Sequence, residues 1–553
     1  MKVLILGGYG VFGGRLAELL SDLEQVELLI CGRDLSRATQ FCKSFDGPAT
    51  TRPFRLVRKD IARALAVEQP DLVVDASGPF QDYGDDRYNV IRACIASGTD
   101  YLDFADAAGF VFDVPQFDAE ARAAGIFVLS GVSSFPVLTA AVLREISRSM
   151  DITSVIGGIA PSPYAGIGLN VMRAVLGYAG TPVKLRRDGV DTHAIGLVEH
   201  MRFSIAVPGH LPLQNKRFSL VEVPDLQVIP PKYKGLRDIW MGAGPVPEFL
   251  HRFLNGLAIA RARFGLPSLK PLAGLAHRVL NLMRFGEHRG GMFIRARGLR
   301  DGKEVEQSWH LIAEGDDGPY IPSMAIEALI RKLVAGIRPA NGARAATDAL
   351  DLSDYAQLFE RRDIHTGFRL HQENTAPIYR RVLGPAFDKL PLQVQHLHDA
   401  TDTRRWAGTA QVRRGNGVLA GLIAKLLGFP EAADAVPVTV TLTPQQDGEL
   451  WERDFGGKRF SSFQSCGAGK NDYLLIERFG RISVALALVT EGDKLYLLPR
   501  RWSFMGIPLP AALLPRGQTF ETEREGRFCF DVEIAAPLVG LIVAYRGRLS
   551  ACG

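Results

Sequence analysis

The chain begins Met1-Lys2-Val3-Leu4-Ile5-Leu6-Gly7-Gly8-Tyr9-Gly10-Val11-Phe12-Gly13-Gly14-Arg15-Leu16-Ala17-Glu18-Leu19-Leu20, and this stretch decides the fold. An apolar run empties into G-x-G-x-x-G, and the glycines open a segment that reads as a helix. In that context the pattern is a dinucleotide-binding fingerprint. Gly8 is expected to serve the tight turn, Gly10 to let the backbone approach a pyrophosphate, and Gly13 to let helix and strand pack closely. The helix N-terminus then faces the phosphate charge. Gly8, Tyr9, Gly10, Val11, Phe12 and Gly13 are therefore the expected cofactor cradle.

The next apolar run, Val26 to Cys31, ends at Gly32-Arg33-Asp34. A residue at this place lies near the adenosine ribose, and NAD-binding chains usually carry an acidic residue there. Here a glycine makes room, and Arg33 can meet a 2′-phosphate through its planar guanidinium. The expectation is NADP(H) in preference to NAD(H). The competing reading has Asp34 turned back to the ribose and Arg33 as a solvated charge.

Strand and helix signals continue to alternate up to about residue 150. Phe54 to Val57 reads as a strand, with Asp60 as a helix cap. Asp71 to Ala76 is a buried strand that exits through Ser77-Gly78-Pro79-Phe80, at the sheet edge where open α/β sheets bind ligands. Ser77, Gly78 and Pro79 are expected to border the nicotinamide ribose. The fold class is α/β, a doubly wound parallel sheet over 1–150, with 320–352 returning to it.

Residues 151–330 change character, to β segments joined by glycine and proline. They read as a second, α+β substrate or lid domain with mainly antiparallel sheet. Met292 to Arg297 and Glu304 to Ile312 flank an Asp301-Gly302 turn and read as a hairpin. From Lys232 to Arg300 there are thirteen Lys or Arg against three acidic residues. Phe249, Leu250, Phe253, Leu254 and Leu257 follow one helical stripe, and Leu272, Leu275, Ala276, Val279, Leu280 and Met283 another. Arg252, Arg261, Arg278 and Arg284 add charge. Segment 245–285 reads either as domain-packing helices with solvated basic faces, as a basic apolar lid that meets a membrane surface or an acyl chain, or as a homodimer interface.

Residues 371–553 read as a C-terminal, mainly antiparallel β domain. Helix is expected from Ile378 to Leu397. Strands follow at Val438–Leu442, Gly448–Phe455, Tyr473–Phe479, Arg481–Thr490, Lys494–Pro499, Arg527–Ile534 and Gly540–Tyr545. Trp451, Arg453, Trp502 and Phe504 either line an apolar cavity or belong to the core. His396 and His398 lack clustered partners, so no metal site is expected.

Composition narrows the function classes. A net charge of +5 over 553 residues gives no case for nucleic-acid binding. Six scattered cysteines without a C-x-x-C pair read as reduced thiols. The strand beginning at Val3 leaves no room for a signal peptide. A cytoplasmic protein, at most peripheral to a membrane, is expected.

Gly7 to Gly14, Cys31-Gly32-Arg33, Ala76 to Phe80 with Tyr83-Gly84, and Gly98 to Asp103 together resemble the NADP-binding domain of the saccharopine dehydrogenase-like reductases. The resemblance covers about the first 130 residues and extends loosely to residue 352. Trp451-x-Arg453-x-Phe455-Gly456-Gly457 and Gly506 to Pro510 resemble a domain of unknown function that is often fused behind such reductases. The first resemblance implies a reductase acting on C=N or C=C bonds; the second implies no activity. Tyr83, Asp103, Asp106 and Ser133 follow strands on the ligand edge and are the candidate proton donors, each with a capping or turn role as the alternative. Two functions remain at this point: an NADP(H)-dependent reductase of an apolar small molecule, acyl or polyketide-like, and a non-catalytic NADP(H)-binding scaffold or sensor acting through its β domain.

Overall fold

The computed structural model describes residues 1–166, 168–245, 247–283, 286–371 and 376–552. Arg284 thus lies outside the described residues. The chain forms two compact units, Met1–Arg202 with Arg217–His365, and Phe203–Lys216 with Thr366 onward.

The first unit starts with β1 (Lys2–Leu6), α1 (Val11–Leu19), β2 (Glu27–Gly32), α2 (Leu35–Ser44), β3 (Thr50–Arg55), α3 (Ile61–Glu68), β4 (Leu72–Asp75), α4 (Asn89–Ser97) and β5 (Asp100–Asp103). Short helices α5 (Ala108–Asp113) and α6 (Asp118–Ala123) precede β6 (Phe127–Ser130) and α7 (Thr139–Ser147). Val3 to Leu6 are buried because helices cover both faces of a central parallel strand. The sheet order is β3-β2-β1-β4-β5-β6 with all pairs parallel, a Rossmann doubly wound sheet. Its strand order reverses between β1 and β4, so the loops after these two strands meet at the ligand edge.

Two local expectations are corrected. The third strand overlaps the expected Phe54–Val57 only at Phe54 and Arg55 and starts earlier, at Thr50, because it is an edge strand that tolerates Pro53. Asp60 stands at the N-cap of α3 but its side chain makes no capping bond there.

The second sheet of this unit is built on β7 (Asp151–Ala160). After α8 (Leu169–Tyr178) come the ribbon β8 (Pro182–Arg187) and β9 (Val190–Ile195), then β10 (His200–Ile205) and β11 (Leu213–Leu220). α9 (Asp225–Val228), β12 (Asp238–Ala243), α10 (Glu248–Phe264) and α11 (Ala273–Leu282) follow, then β13 (Arg289–Arg300) and β14 (Lys303–Glu314). β7 pairs with β12 in parallel and with β13 antiparallel. The β13–β14 turn places Asp301 at φ 51° and Gly302 at φ 75°, the left-handed pair that a two-residue hairpin needs. The chain then returns through α12 (Ile321–Val334) to β15 (Gly342–Ala345), which pairs parallel with β6. Arg331 of α12 reaches back to α1, donating to the Leu19 carbonyl at 3.0 Å. Helix α13 (Leu352–Phe359) and strand β16 (Ile364–Leu370) follow.

The helical stripe read for α10 is rotated in the structure. Its buried residues are His251, Asn255 and Ala258, whereas Phe249 and Phe253 are exposed. Two polar side chains face inward because each finds hydrogen-bond partners there.

In the second unit the expected helical part comprises α14 (Ile378–Leu383) and α15 (Leu392–His398), and α14 ends where Gly384 leaves helical geometry at φ 59°. Then come β17 (Arg404–Arg414), α16 (Val418–Leu426), β18 (Ala433–Gln445), β19 (Gly448–Phe455), β20 (Lys458–Cys466), β21 (Leu475–Phe479), β22 (Ile482–Glu491), β23 (Lys494–Phe504), β24 (Ile507–Pro508), β25 (Thr519–Arg524), β26 (Arg527–Ala536) and β27 (Gly540–Ala551). These strands form one antiparallel sheet, β22-β21-β20-β19-β18-β17-β27-β26-β25-β23-β24, and β22 also pairs with β23. The sheet therefore closes into a ten-stranded barrel, with the short β24 paired to β23 alone. β17, β20, β24 and β25 were not expected from the sequence; in β20 and β25 the inward residues include Ser462, Gln464 and Glu521, which break the apolar alternation.

Candidate active site

The glycine loop after β1 sits against the loop after β4. Gly7 is the residue in the left-handed region, at φ 82°, and a Cβ on it would stand 2.7 Å from the Ala76 carbonyl oxygen. This corrects the role given to Gly8. Gly8 instead permits close approach, with Ile5 O and Ile30 Cα 3.0 and 3.1 Å from where its Cβ would be. At Gly13 a Cβ would overlap the Gly7 carbonyl oxygen, so helix and loop touch as expected. Helix α1 has Gly10 at its N-cap, no side-chain cap and no acidic residue in its first turn. Its leading N–H groups are thus left for an anionic ligand. These features fit a dinucleotide pyrophosphate.

At the end of β2, Gly32 is needed for a reason the sequence did not show: a Cβ there would overlap the Tyr9 ring. The Tyr9 hydroxyl accepts from the Asp34 amide at 3.0 Å, and the Arg37 guanidinium lies over the ring at 5.0 Å. Asp34 caps α2, accepting from Ser36 N at 2.9 Å and Arg37 N at 3.2 Å. Arg33 is exposed.

Ser77 belongs to a polar network that the sequence reading missed. Its hydroxyl donates to Asp75 Oδ1 at 2.6 Å and meets the Tyr83 hydroxyl at 2.9 Å. Arg58 closes the network, bonded to Asp75 Oδ2 and to the Arg87 carbonyl at 2.8 Å, with its guanidinium 3.8 Å from the Tyr83 ring centroid. Burial, reinforced by the Asp75 charge, pushes the Tyr83 hydroxyl up to about 12. The next residues join the loop to α8, because Asn170 donates to the Gly78 carbonyl at 2.7 Å, and Pro79 follows directly.

The other candidate donors separate. Asp103 is fully buried and its Oδ1 accepts from the amides of Ala105 at 2.9 Å and Gly131 at 2.7 Å, which gives it the task of holding two strand-end loops. Burial raises its pKa to about 6. Asp106 accepts from Gln81 at 3.2 Å, and burial raises its carboxyl as well. Burial also raises Tyr178 and Glu222, and the Asp106 charge adds to both. Ser133 precedes a short turn without capping it, and its neighbour Ser134 lines the cavity described next.

That cavity, about 280 Å³, joins the two sheets of the first unit. Val11, Phe12 and Arg15 of the glycine loop and α1 form one wall, and Met172, Tyr178, Leu254, His251 and Met292 are among the others. Phe12 stacks on Phe104 at 5.6 Å. Arg15 donates to the Pro319 and Ala165 carbonyls at 3.1 and 3.2 Å, tying the helix to the opposite wall.

His251 is the residue that the sequence reading passed over. Asn255 donates both to the Leu197 carbonyl at 2.7 Å and to Ser219 Oγ at 3.0 Å, and it accepts from Arg217 at 3.1 Å. Ser219 Oγ and His251 Nε2 are hydrogen-bonded at 2.9 Å, and the tautomer of the ring sets which of them donates. With Ser219 as the donor, the neutral ring carries its proton on Nδ1. Nδ1 has no hydrogen-bond partner among the described residues, and His251 lines the cavity. Burial lowers its pKa to about 4, so the ring is neutral at pH 7.

Residues 3–129 match the saccharopine dehydrogenase NADP binding domain. Residues 390–549 match a domain of unknown function, DUF4166. The first unit thus carries a nicotinamide-nucleotide-binding domain of dehydrogenase type. Similar solved structures include the WlbA dehydrogenase from Thermus thermophilus in complex with NAD and alpha-ketoglutarate, at 12% identity over 62% of this chain and 90% of that one, with a TM-score of 0.30. The amine dehydrogenase from Mycobacterium smegmatis is similar at 10% identity over 62% and 94%, with a TM-score of 0.31. None of the curated proteins compared matches the chain. Among the described residues no group of three or more His, Cys, Asp or Glu is placed to hold a metal ion, and no helix is long and apolar enough to cross a membrane.

Proposed function

We propose that this protein is an NADP(H)-dependent oxidoreductase that reduces a C=C or C=N bond of an apolar small molecule, acyl or polyketide-like. The observation that carries the reading is the apolar cavity with Val11 and Phe12 of the nucleotide loop on one wall and His251, whose Nδ1 has no partner among the described residues, on another. When bound, the nicotinamide supplies the hydride, as the cofactor does in this chemistry. The glycine loop and the N-terminus of α1 hold the pyrophosphate. Val11, Phe12, Met172 and Leu254 exclude water and fix the apolar substrate. His251 Nδ1–H donates a hydrogen bond to the substrate's polar end, and Ser219 with Asn255 holds the ring in that tautomer.

Preference for NADP(H) is supported by Asp34, whose carboxylate is engaged at the N-terminus of α2 rather than free for a ribose hydroxyl. Arg33 and Arg37 are exposed on either side of it, and both can meet a 2′-phosphate. Helices α10 and α11 lend His251, Leu254 and Leu280 to the cavity lining, and their exposed apolar residues beside Arg252, Arg263 and Arg278 suit contact with an anionic lipid surface from which such a substrate would come.

Titration of the purified chain with NADPH and NADH tests the reading. Arg33→Ala is expected to weaken NADPH by about 2 to 3 kcal/mol, the scale of a hydrogen bond to a charged group, and to leave NADH nearly unchanged. Equal losses for both cofactors refute the role of Arg33. Absence of binding by either refutes the function.

A further inference from the structure

The barrel of the second unit encloses a cavity of about 480 Å³. Its lining comes from nine of the ten barrel strands and from α16, so it is the barrel lumen and not a surface groove. The volume falls within the roughly 300–1,000 Å³ of small-molecule sites. Barrels of eight to ten strands either fill their interior with side chains or leave room for one ligand. This one leaves room.

The lumen is graded. Toward one side lies a buried polar layer in which Arg453 donates to Ser462 Oγ at 2.8 Å and to Glu477 at 3.2 Å, while Ser462 and Gln464 also donate to Glu477. Glu521 of the lining is bonded to the buried His398 at 2.5 Å. Leu486, Leu497, Val484, Phe530, Val532 and Ile534 make the rest apolar. At the entrance, α16 turns Ile423 and Leu427 onto the core while Val418, Leu419, Leu422 and Leu426 stay exposed. Leu426 lines the cavity and is also 83% exposed, which places it on the rim. Leu538, between two lining residues of the β26–β27 turn, is 96% exposed. A helix apolar on both faces is costly in water and marks a place where an apolar partner arrives.

We propose that this barrel is a binding site for one uncharged lipid-like molecule, a chain of acyl length with a hydroxyl, carbonyl or ester at its polar end, admitted past α16. Charge decides the class. The lining holds Arg453 and Arg516 against Glu477, Glu521 and Glu533, so no net positive charge awaits a carboxylate or phosphate. Burying an anionic head beside Glu477 would add an uncompensated charge. A hydroxyl or carbonyl instead joins the Gln464–Glu477 layer without that cost, and the chain fills the apolar part.

The proposal does not rest on the reductase reading, and the test keeps them apart. The full chain, stripped of lipid on a hydrophobic resin, is titrated with hexadecanol and with hexadecanoate. Displacement of Nile red and the emission of Trp451 and Trp502 report binding, and NADPH affinity is read in the same samples. Hexadecanol is expected to bind, hexadecanoate at least ten-fold more weakly. Val484→Trp, which fills the lumen, is expected to lower hexadecanol affinity at least ten-fold with NADPH binding unchanged. Leu426→Glu with Leu538→Glu changes only exposed side chains and guards against a misfolded lumen variant; it is expected to slow uptake several-fold. Hexadecanol binding that neither variant alters, tighter binding of hexadecanoate, or no binding of either would overturn the proposal, whatever the NADPH titration shows.

Discussion

Replacing His251 with Gln should remove one specific pH dependence of the first unit. The ring is 2% exposed, and burial, followed by the nearby Arg217 charge, lowers its pKa from 6.5 to about 4. At 1.36 kcal/mol per unit, that difference is worth about 3 kcal/mol. The sign follows from proton binding. Between pH 6.5 and 4 the unfolded chain protonates its imidazole and the folded chain does not, so the unfolded state holds more protons. The contribution of the neutral ring is complete above pH 6.5, declines as the pH falls, and is gone below about 4. Hydrogen–deuterium exchange of the α10 amides, corrected for intrinsic rate, should show the opening free energy of the wild type falling by about 3 kcal/mol more than that of His251→Gln between pH 7.5 and 4. A ring that titrates near 6.5, or the same pH dependence in both proteins, would refute the burial of His251 as a neutral ring.

Other substitutions probe the nucleotide side and the surface. Gly13→Ala drives a methyl into the Gly7 carbonyl oxygen and should cost about 1 to 3 kcal/mol of overpacking while weakening NADPH and NADH alike, as read by melting temperature and cofactor titration. Arg58→Met leaves Asp75, which is fully buried, without its ion-pair partner, and should destabilise the unit by about 3 to 5 kcal/mol in chemical denaturation. Phe253→Glu combined with Leu282→Glu, at positions 62% and 83% exposed, should abolish co-sedimentation with anionic vesicles without lowering the melting temperature; retained sedimentation would remove the lipid-facing role of α10 and α11.

The nucleotide-binding sheet was legible because its signals are local. The run Val3–Leu6, the glycines and the returning strand Leu72–Asp75 each report a buried parallel strand or its exit within a few residues. Arg58 was not legible, because what makes it matter is Asp75, seventeen residues on and in the next strand. Gly32 was read as space for a ligand, whereas the space is taken by Tyr9, twenty-three positions earlier in the chain.

The misreadings elsewhere share one cause. In α10 two stripes have helical spacing, Phe249-Phe253-Leu257 and His251-Asn255-Ala258, and apolar content favours the first. The fold buries the second because Ser219, thirty-two residues before His251, and the Leu197 carbonyl satisfy its polar groups. In the barrel, two of the strands that escaped notice, β20 and β25, turn Ser462, Gln464 and Glu521 inward. Apolar periodicity records what a core excludes from water, so it fails where a fold buries polar groups on purpose. Such groups are affordable only when they are hydrogen-bonded, and they are useful only beside space that a ligand can enter. His251 lines the cavity beside the nucleotide loop, and Gln464 and Glu521 line the barrel lumen. The failure of the pattern is therefore itself a pointer to the two sites, one beside the nucleotide loop and one inside the barrel.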